Sequence, residues 1–110
     1  MDTEKEKKIE EYNKIIDKQE KLNEKLLLLP KGHVNVLYRG GKGYYYLTYR
    51  DGYKVKNDYL GPADKTDLNN IFQQLTEREN CKKEIRRLKE EAKNLKKEIG
   101  RIRKNAIKSN

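Results

Sequence analysis

Apolar residues recur at spacings of three and four through the first quarter of the chain: Ile9, Tyr12, Ile15, Ile16, Leu22, Leu26 and Leu29, interrupted by Gln19 and Asn23. That period predicts a helix over residues 3–28. Pro30-Lys31-Gly32 ends it, because proline bars the preceding residue from helical dihedrals. The pattern then changes to short runs rich in Tyr, Val, Leu and Thr. Residues 34–39, 44–50 and 53–59 read as three antiparallel strands, with Gly40-Gly41-Lys42-Gly43 joining the first two and Leu60-Gly61-Pro62 closing the sheet. Asp51-Gly52 marks the second hairpin. A two-residue type I′ turn needs positive φ at both central positions, which Asp followed by Gly tolerates.

From Asp64 or Thr66 a second helix is predicted, with Asp64 as N-cap and Asp67 completing a capping box. Ile71, Arg78, Ile85, Ala92, Ile99 and Ala106 repeat every seven residues, and so do Gln74, Cys81, Leu88, Leu95 and Ile102. This is a heptad seam, cleanest from Cys81 onward. The expected fold is mostly α with a small β-meander: one domain over 1–110, an antiparallel helical coiled-coil stalk (3–28 and 64–107) with a three-stranded antiparallel sheet (34–60) inserted between the two helices. At 1.5 Å per residue the helices would be about 39 Å and 64 Å long. If they fold back from a common level, the first runs out near Ala92 to Lys96. Leu95, Ile99, Ile102 and Ala106 are then uncovered, and an uncovered apolar seam predicts self-association as a homodimer.

Charge changes this picture. The net charge is +9, yet residues 81–110 alone hold twelve Lys or Arg against four Glu, so nearly all the excess lies at one end. Such asymmetry concerns partners rather than fold. Lys93, Lys96, Lys97, Arg101, Arg103 and Lys104 would neutralise phosphates, or else form the solvated exterior of a coiled coil. The longest apolar run is Leu26-Leu27-Leu28-Leu29, which predicts no membrane partner, and a lone Cys81 suits a cytoplasmic protein.

Catalytic patterns are missing. One His and one Cys cannot be argued into a nucleophile–base pair, and no ligand spacing marks a metal. Cys81 reads as a small core residue and His33 as a solvated loop residue. Gly40-Gly41-Lys42-Gly43 lacks the spacing and following helix of a phosphate loop. The expectation is a non-enzyme with no cofactor and no small-molecule substrate.

The hairpin carries the second binding surface. With Asp51-Gly52 as the turn, Thr48 lies opposite Val55, Tyr46 opposite Asn57 and Tyr44 opposite Tyr59. Tyr45, Leu47, Tyr49, Lys54, Lys56 and Asp58 occupy the other face, joined by Val34, Val36 and Tyr38 if Gly41-Lys42 is the first turn. That second face is the drier one, leaving Arg39, Tyr44, Tyr46, Arg50, Tyr53 and Asn57 outward. Tyrosines interleaved with cations suit nucleic acid, through stacking and phosphate contact. The same tyrosines would equally serve a sheet core or a protein interface. The predicted contacts here are Arg39, Lys42, Tyr44, Tyr46, Arg50, Tyr53, Lys54 and Lys56.

The segment GKGYYYLTYRDGYKVKNDYLG, with LPKG before it and a charged helix after it, resembles a group of small uncharacterised proteins from bacteria, archaea and their mobile elements. In that group a tyrosine-rich hairpin precedes a coiled-coil tail. The hairpin is also similar to the three-stranded arm-binding domains of tyrosine recombinases. That resemblance implies DNA contact through Tyr44-Tyr45-Tyr46, Arg50, Lys54 and Lys56, although this chain has no catalytic domain and carries long flanking helices. The expected function is therefore a basic nucleic-acid-binding protein of a phage or mobile element. The rivals are a module binding a host protein or nucleoprotein, such as an anti-CRISPR-like inhibitor of an RNA-guided nuclease, and a purely structural coiled-coil dimer.

Overall fold

The computed structural model describes residues 3–108, with side chains as far as Ile102. The elements are α1 (Thr3–Leu28), β1 (His33–Arg39), β2 (Lys42–Asp51), β3 (Lys54–Pro62) and α2 (Asn69–Lys108). The strands form one antiparallel sheet in the order β1-β2-β3, so the fold is the predicted one: two helices with a small meander between them in sequence. The chain divides into two compact units, one made by α1 and the part of α2 from Asn80 onward, the other by Leu29–Glu79.

In the helical unit, α1 opens with Glu4 and Glu6 and ends with Lys25, signs that complement the helix dipole. Cys81, Ile85, Leu88 and Ala92 are buried on α2, at the alternating three- and four-residue steps of the predicted seam, and Leu88 is only 2% exposed. On α1 the half-buried positions are Lys5, Lys8, Tyr12, Ile15, Ile16, Gln19, Leu22 and Leu26. Lys8 rather than Ile9 continues the line, its side chain 25% exposed and its ammonium bonded to Glu98. Two side-chain bonds fix the level of the pair. The Cys81 thiol donates to the Leu22 carbonyl at 3.2 Å, and the Lys8 ammonium donates to the Glu98 carboxylate at 2.7 Å.

Those bonds correct the expected overhang. The turns of α2 before Asn80 belong to the sheet unit, so α1 begins its pairing later along α2 than a common starting level implies. It therefore reaches Glu98 instead of stopping near Ala92 to Lys96, and Thr3–Lys7 add about 8 Å of helix beyond that ion pair. Leu95, Ile99 and Ile102 are half-buried. Ala106 lies outside the described side chains.

In the sheet unit, both turns differ from expectation by one residue. β1 and β2 are joined by Gly40-Gly41, both at positive φ, and Arg39 pairs with Lys42. β2 and β3 are joined by Gly52-Tyr53, and Asp51 pairs with Lys54. Only Gly52 has positive φ (63°) there, the sign pattern of a type II′ turn, so Asp51 stays extended. Moving a turn by one residue shifts the register by two. Thr48 now faces Asn57 and Tyr46 faces Tyr59, but each side chain keeps its expected face.

β3 runs on through Leu60-Gly61-Pro62, which were expected to close the sheet. The pairing passes from Tyr46↔Tyr59 to Tyr45↔Gly61, leaving Leu60 as the extra residue of a bulge. Gly61, at φ 141°, is buried where an added Cβ would lie 2.2 Å from the Thr66 hydroxyl. A turn then closes on the Pro62 carbonyl, which accepts from the Lys65 and Thr66 amides. The helix consequently starts later than Asp64, and it is Asp67 that caps it, accepting from the Asn69 amide at 2.9 Å. Arg78 leaves the predicted seam and donates to the Leu29 carbonyl at 3.4 Å. The reverse face of the sheet is dry around Leu47, which is buried, with Val34, Tyr45 and Tyr49 half-buried beside it, whereas Val36 and Tyr38, expected on the same dry face, are exposed.

Candidate functional site

The opposite face of the sheet is open. Alternation and register put His33, Asn35, Leu37 and Arg39 of β1 on it, beside Lys42, Tyr44, Tyr46, Thr48 and Arg50 of β2 and Val55, Asn57 and Tyr59 of β3. None of these twelve is buried. At its centre the Tyr59 ring stands 5.3 Å from Tyr46 and 6.4 Å from Tyr44, tilted by 53° and 46°. These rings and Arg39 line a depression of about 250 Å³. Next to them runs a polar ladder across all three strands: the Asn35 amide donates to the Thr48 hydroxyl at 2.7 Å, which donates to the Asn57 carbonyl at 2.6 Å.

Charge is segregated between the two faces. Arg39 and Lys42 flank one end of the open face and Arg50 stands at the other, and none of the three makes a salt bridge among the described residues. The sheet's two carboxylates, Asp51 and Asp58, fall on the reverse face. There Asp51 pairs with Lys56 at 2.8 Å. The hydrogen bond holds the Asp51 carboxyl below its ordinary range and raises Lys56. The Tyr49 hydroxyl lies 3.4 Å from Asp58, and desolvation, with the Asp58 charge behind it, pushes that phenol up.

The predicted contacts thus divide. Arg39, Lys42, Tyr44, Tyr46 and Arg50 come together on the open face. Tyr53 is fully exposed in the second turn. Lys54 and Lys56 belong to the reverse face, where Asp51 already answers the Lys56 charge. On α2, Lys93, Lys96, Lys97 and Arg101 are exposed, while the side chains of Arg103 and Lys104 lie outside the described residues. A groove of about 440 Å³ between Ile15 and Leu95 is rimmed by Glu11, Glu91, Glu98, Lys14 and Lys18, a mixture that favours neither sign of ligand.

Sequence reasoning placed Asn57 on the outward face but missed Tyr59, Asn35 and Thr48 as members of the site, and with them the ladder. The parity of the strands held the signal, but with the turn misplaced Tyr59 was set against Tyr44 at the sheet's end instead of between two rings. A second depression, of about 380 Å³, was also missed. It is lined by Gly41, Lys42, Gly43, Tyr44, Pro62, Asp64 and Lys65, and forms because the turn after Pro62 folds back beside the β1–β2 turn. Among the described residues no group of three or more His, Cys, Asp or Glu could hold a metal ion, and no helix is long and apolar enough to cross a membrane.

No curated protein and no solved structure matches this chain. A family model described as a domain of unknown function, DUF6788, matches residues 4–70, a span that contains α1 from Glu4 onward and every residue of the open sheet face. The chain belongs to the DUF6788 family.

Proposed function

We propose that this protein binds nucleic acid without catalysis, using the open sheet face as its contact surface and the basic residues of α2 as additional phosphate contacts. The observation that carries this reading is the charge segregation: the uncompensated cations Arg39, Lys42 and Arg50 share a face with three tyrosine rings, and both sheet carboxylates are turned away from it. Within the strands a polyanion meets only cations on that face, and Asp64 of the following turn is the acid that borders it beside Lys42. Arg39, Lys42 and Arg50 would take phosphates, releasing condensed counterions. The rings offer stacking surface, and the amides of Asn35 and Asn57 offer donors and acceptors to base edges. A nucleic-acid partner and the single thiol of Cys81 both suit the cytoplasm.

Affinity for a random-sequence oligonucleotide, measured against salt concentration, tests this. Each phosphate contact contributes about 0.7–0.9 to the log–log slope, so Arg39→Ala, Lys42→Ala and Arg50→Ala are each expected to flatten it. A slope near zero in the native chain would remove nucleic acid from the account. A protein partner retained after nuclease treatment by such a chain would favour the host-protein reading instead.

A further inference from the structure

The two depressions on the sheet share one lining residue, Tyr44. On one side lie Arg39 and the rings of Tyr46 and Tyr59. On the other lie Lys42, Lys65 and the glycine turn. Resting on the nucleic-acid reading above, we infer that the strand is bound unpaired, with one nucleotide straddling Tyr44: its base against the rings, its phosphate between Lys42 and Lys65.

Three features carry this. First, the tyrosines are tilted against one another rather than stacked flat, so ring faces remain unused, and Tyr59 is 56% exposed. An aromatic face is matched by the face of a base, and in a duplex those faces are occupied by neighbouring bases. Second, the centre of the face is recessed, with its cations at the two ends. A reader of duplex base edges needs the reverse, long donors projecting from the centre into a groove. Third, the phosphate side has the right balance. Lys42 and Lys65 are exposed and Asp64 stands beside them, which leaves one net positive charge for one phosphate.

The test compares the full-length chain on a short oligothymidylate and on a duplex of equal length, at equal salt. The single strand is expected to bind at least tenfold tighter. A 2-aminopurine placed in that single strand should be quenched on binding. Tyr59→Ala is expected to weaken single-strand binding by about ten- to a hundredfold and abolish the quenching, while Tyr59→Phe, which keeps the ring, retains both. Should Tyr59→Ala fail to fold, Lys65→Ala in the exposed turn decides: weaker binding with quenching preserved supports the straddled nucleotide, and unchanged binding overturns it. Equal affinity for duplex and single strand, or no quenching, would overturn the unpaired strand while leaving the nucleic-acid reading intact. Binding of neither oligonucleotide would overturn both.

Discussion

Tyr46 and Tyr59 stand directly opposite each other across β2 and β3, their ring centroids 5.3 Å apart, and immediately beyond this pair the ladder slips at Leu60. The slip brings Tyr44 opposite Pro62 in place of Gly61, and Tyr59 remains against both rings. A bulge of this kind bends its strand and re-aims the side chains around it. Here it gathers three tyrosines from two strands into one cluster.

The bulge depends on Gly61. An alanine there would meet the Thr66 hydroxyl and also retain an unfavourable positive φ. Gly61→Ala is therefore expected to carry an overpacking cost of about 1–3 kcal/mol in addition to its backbone strain. Gly52→Ala, with nothing within 4 Å of the added carbon, meets only the strain, about 1–2 kcal/mol. Urea denaturation of the two variants measures the difference, and equal losses would mean that Thr66 yields freely.

Charge on the two faces should separate functionally. Arg50→Ala is expected to weaken binding of a random oligonucleotide and reduce the salt slope by about one. Lys56→Ala removes a charge already answered by Asp51 at 2.8 Å and is expected to change neither. Salt-titrated fluorescence anisotropy distinguishes them, and a larger loss for Lys56→Ala would move the contact to the reverse side.

The ion pair between Lys8 and Glu98 should make the start of α1 sensitive to pH. The hydrogen bond from Lys8 holds the Glu98 carboxyl below its ordinary value of 4.5, and the same bond raises Lys8 above 10.5. The Glu98 contribution is thus present above pH 4.5 and lost as the pH falls through its depressed value in the folded state. That of Lys8 is complete below pH 10.5 and lost as the pH rises through its elevated one. Amide-exchange protection in the first turns of α1 is expected to drop between pH 5 and pH 3. Lys8→Met should show the lower protection already at pH 6; a native-like acid response in that variant would exclude the pair as the cause.

Burial along the helices predicts a sharp contrast among leucines. Leu88→Ala is expected to cost about 2–5 kcal/mol, whereas Leu27→Ala, at a position 86% exposed, should stay within about 0.5 kcal/mol. Because α1 extends alongside Glu98, replacing Leu95 and Ile99 with Ser should lower the Tm at every protein concentration. A loss confined to high concentration would assign those residues to a second copy of the chain.

Much of this was legible in the sequence, for reasons that differ by element. The bounds of α1 followed from a proline and a three- and four-residue period that persists across Gln19 and Asn23. The buried set Cys81, Ile85, Leu88 and Ala92 followed from the heptad, because periodicity states which side of a helix is dry. It does not state which turn of a partner lies opposite, so the reach of α1 to Glu98 was hidden. The faces of the sheet were legible through parity even though both turns were misplaced by one residue. Asp51-Gly52 favours a type I′ turn, but Gly52-Tyr53 satisfies type II′ with a single positive φ, and sequence alone did not arbitrate. The bulge at Leu60 and the depression beside Lys65 left no periodic trace, since each depends on chain segments meeting after Pro62.

The placement of Asp51 and Asp58 on the reverse of the sheet also acts at a distance. With the two acids balancing Lys54 and Lys56 there, and Arg39, Lys42 and Arg50 unopposed on the other side, the plate is electrically two-sided. An approaching polyanion feels that gradient before any atom touches, over a range of about 8 Å at physiological ionic strength. With the proposed partner, encounters would be oriented in advance, and a share of the selectivity would reside in the rate of arrival rather than in the grip that follows.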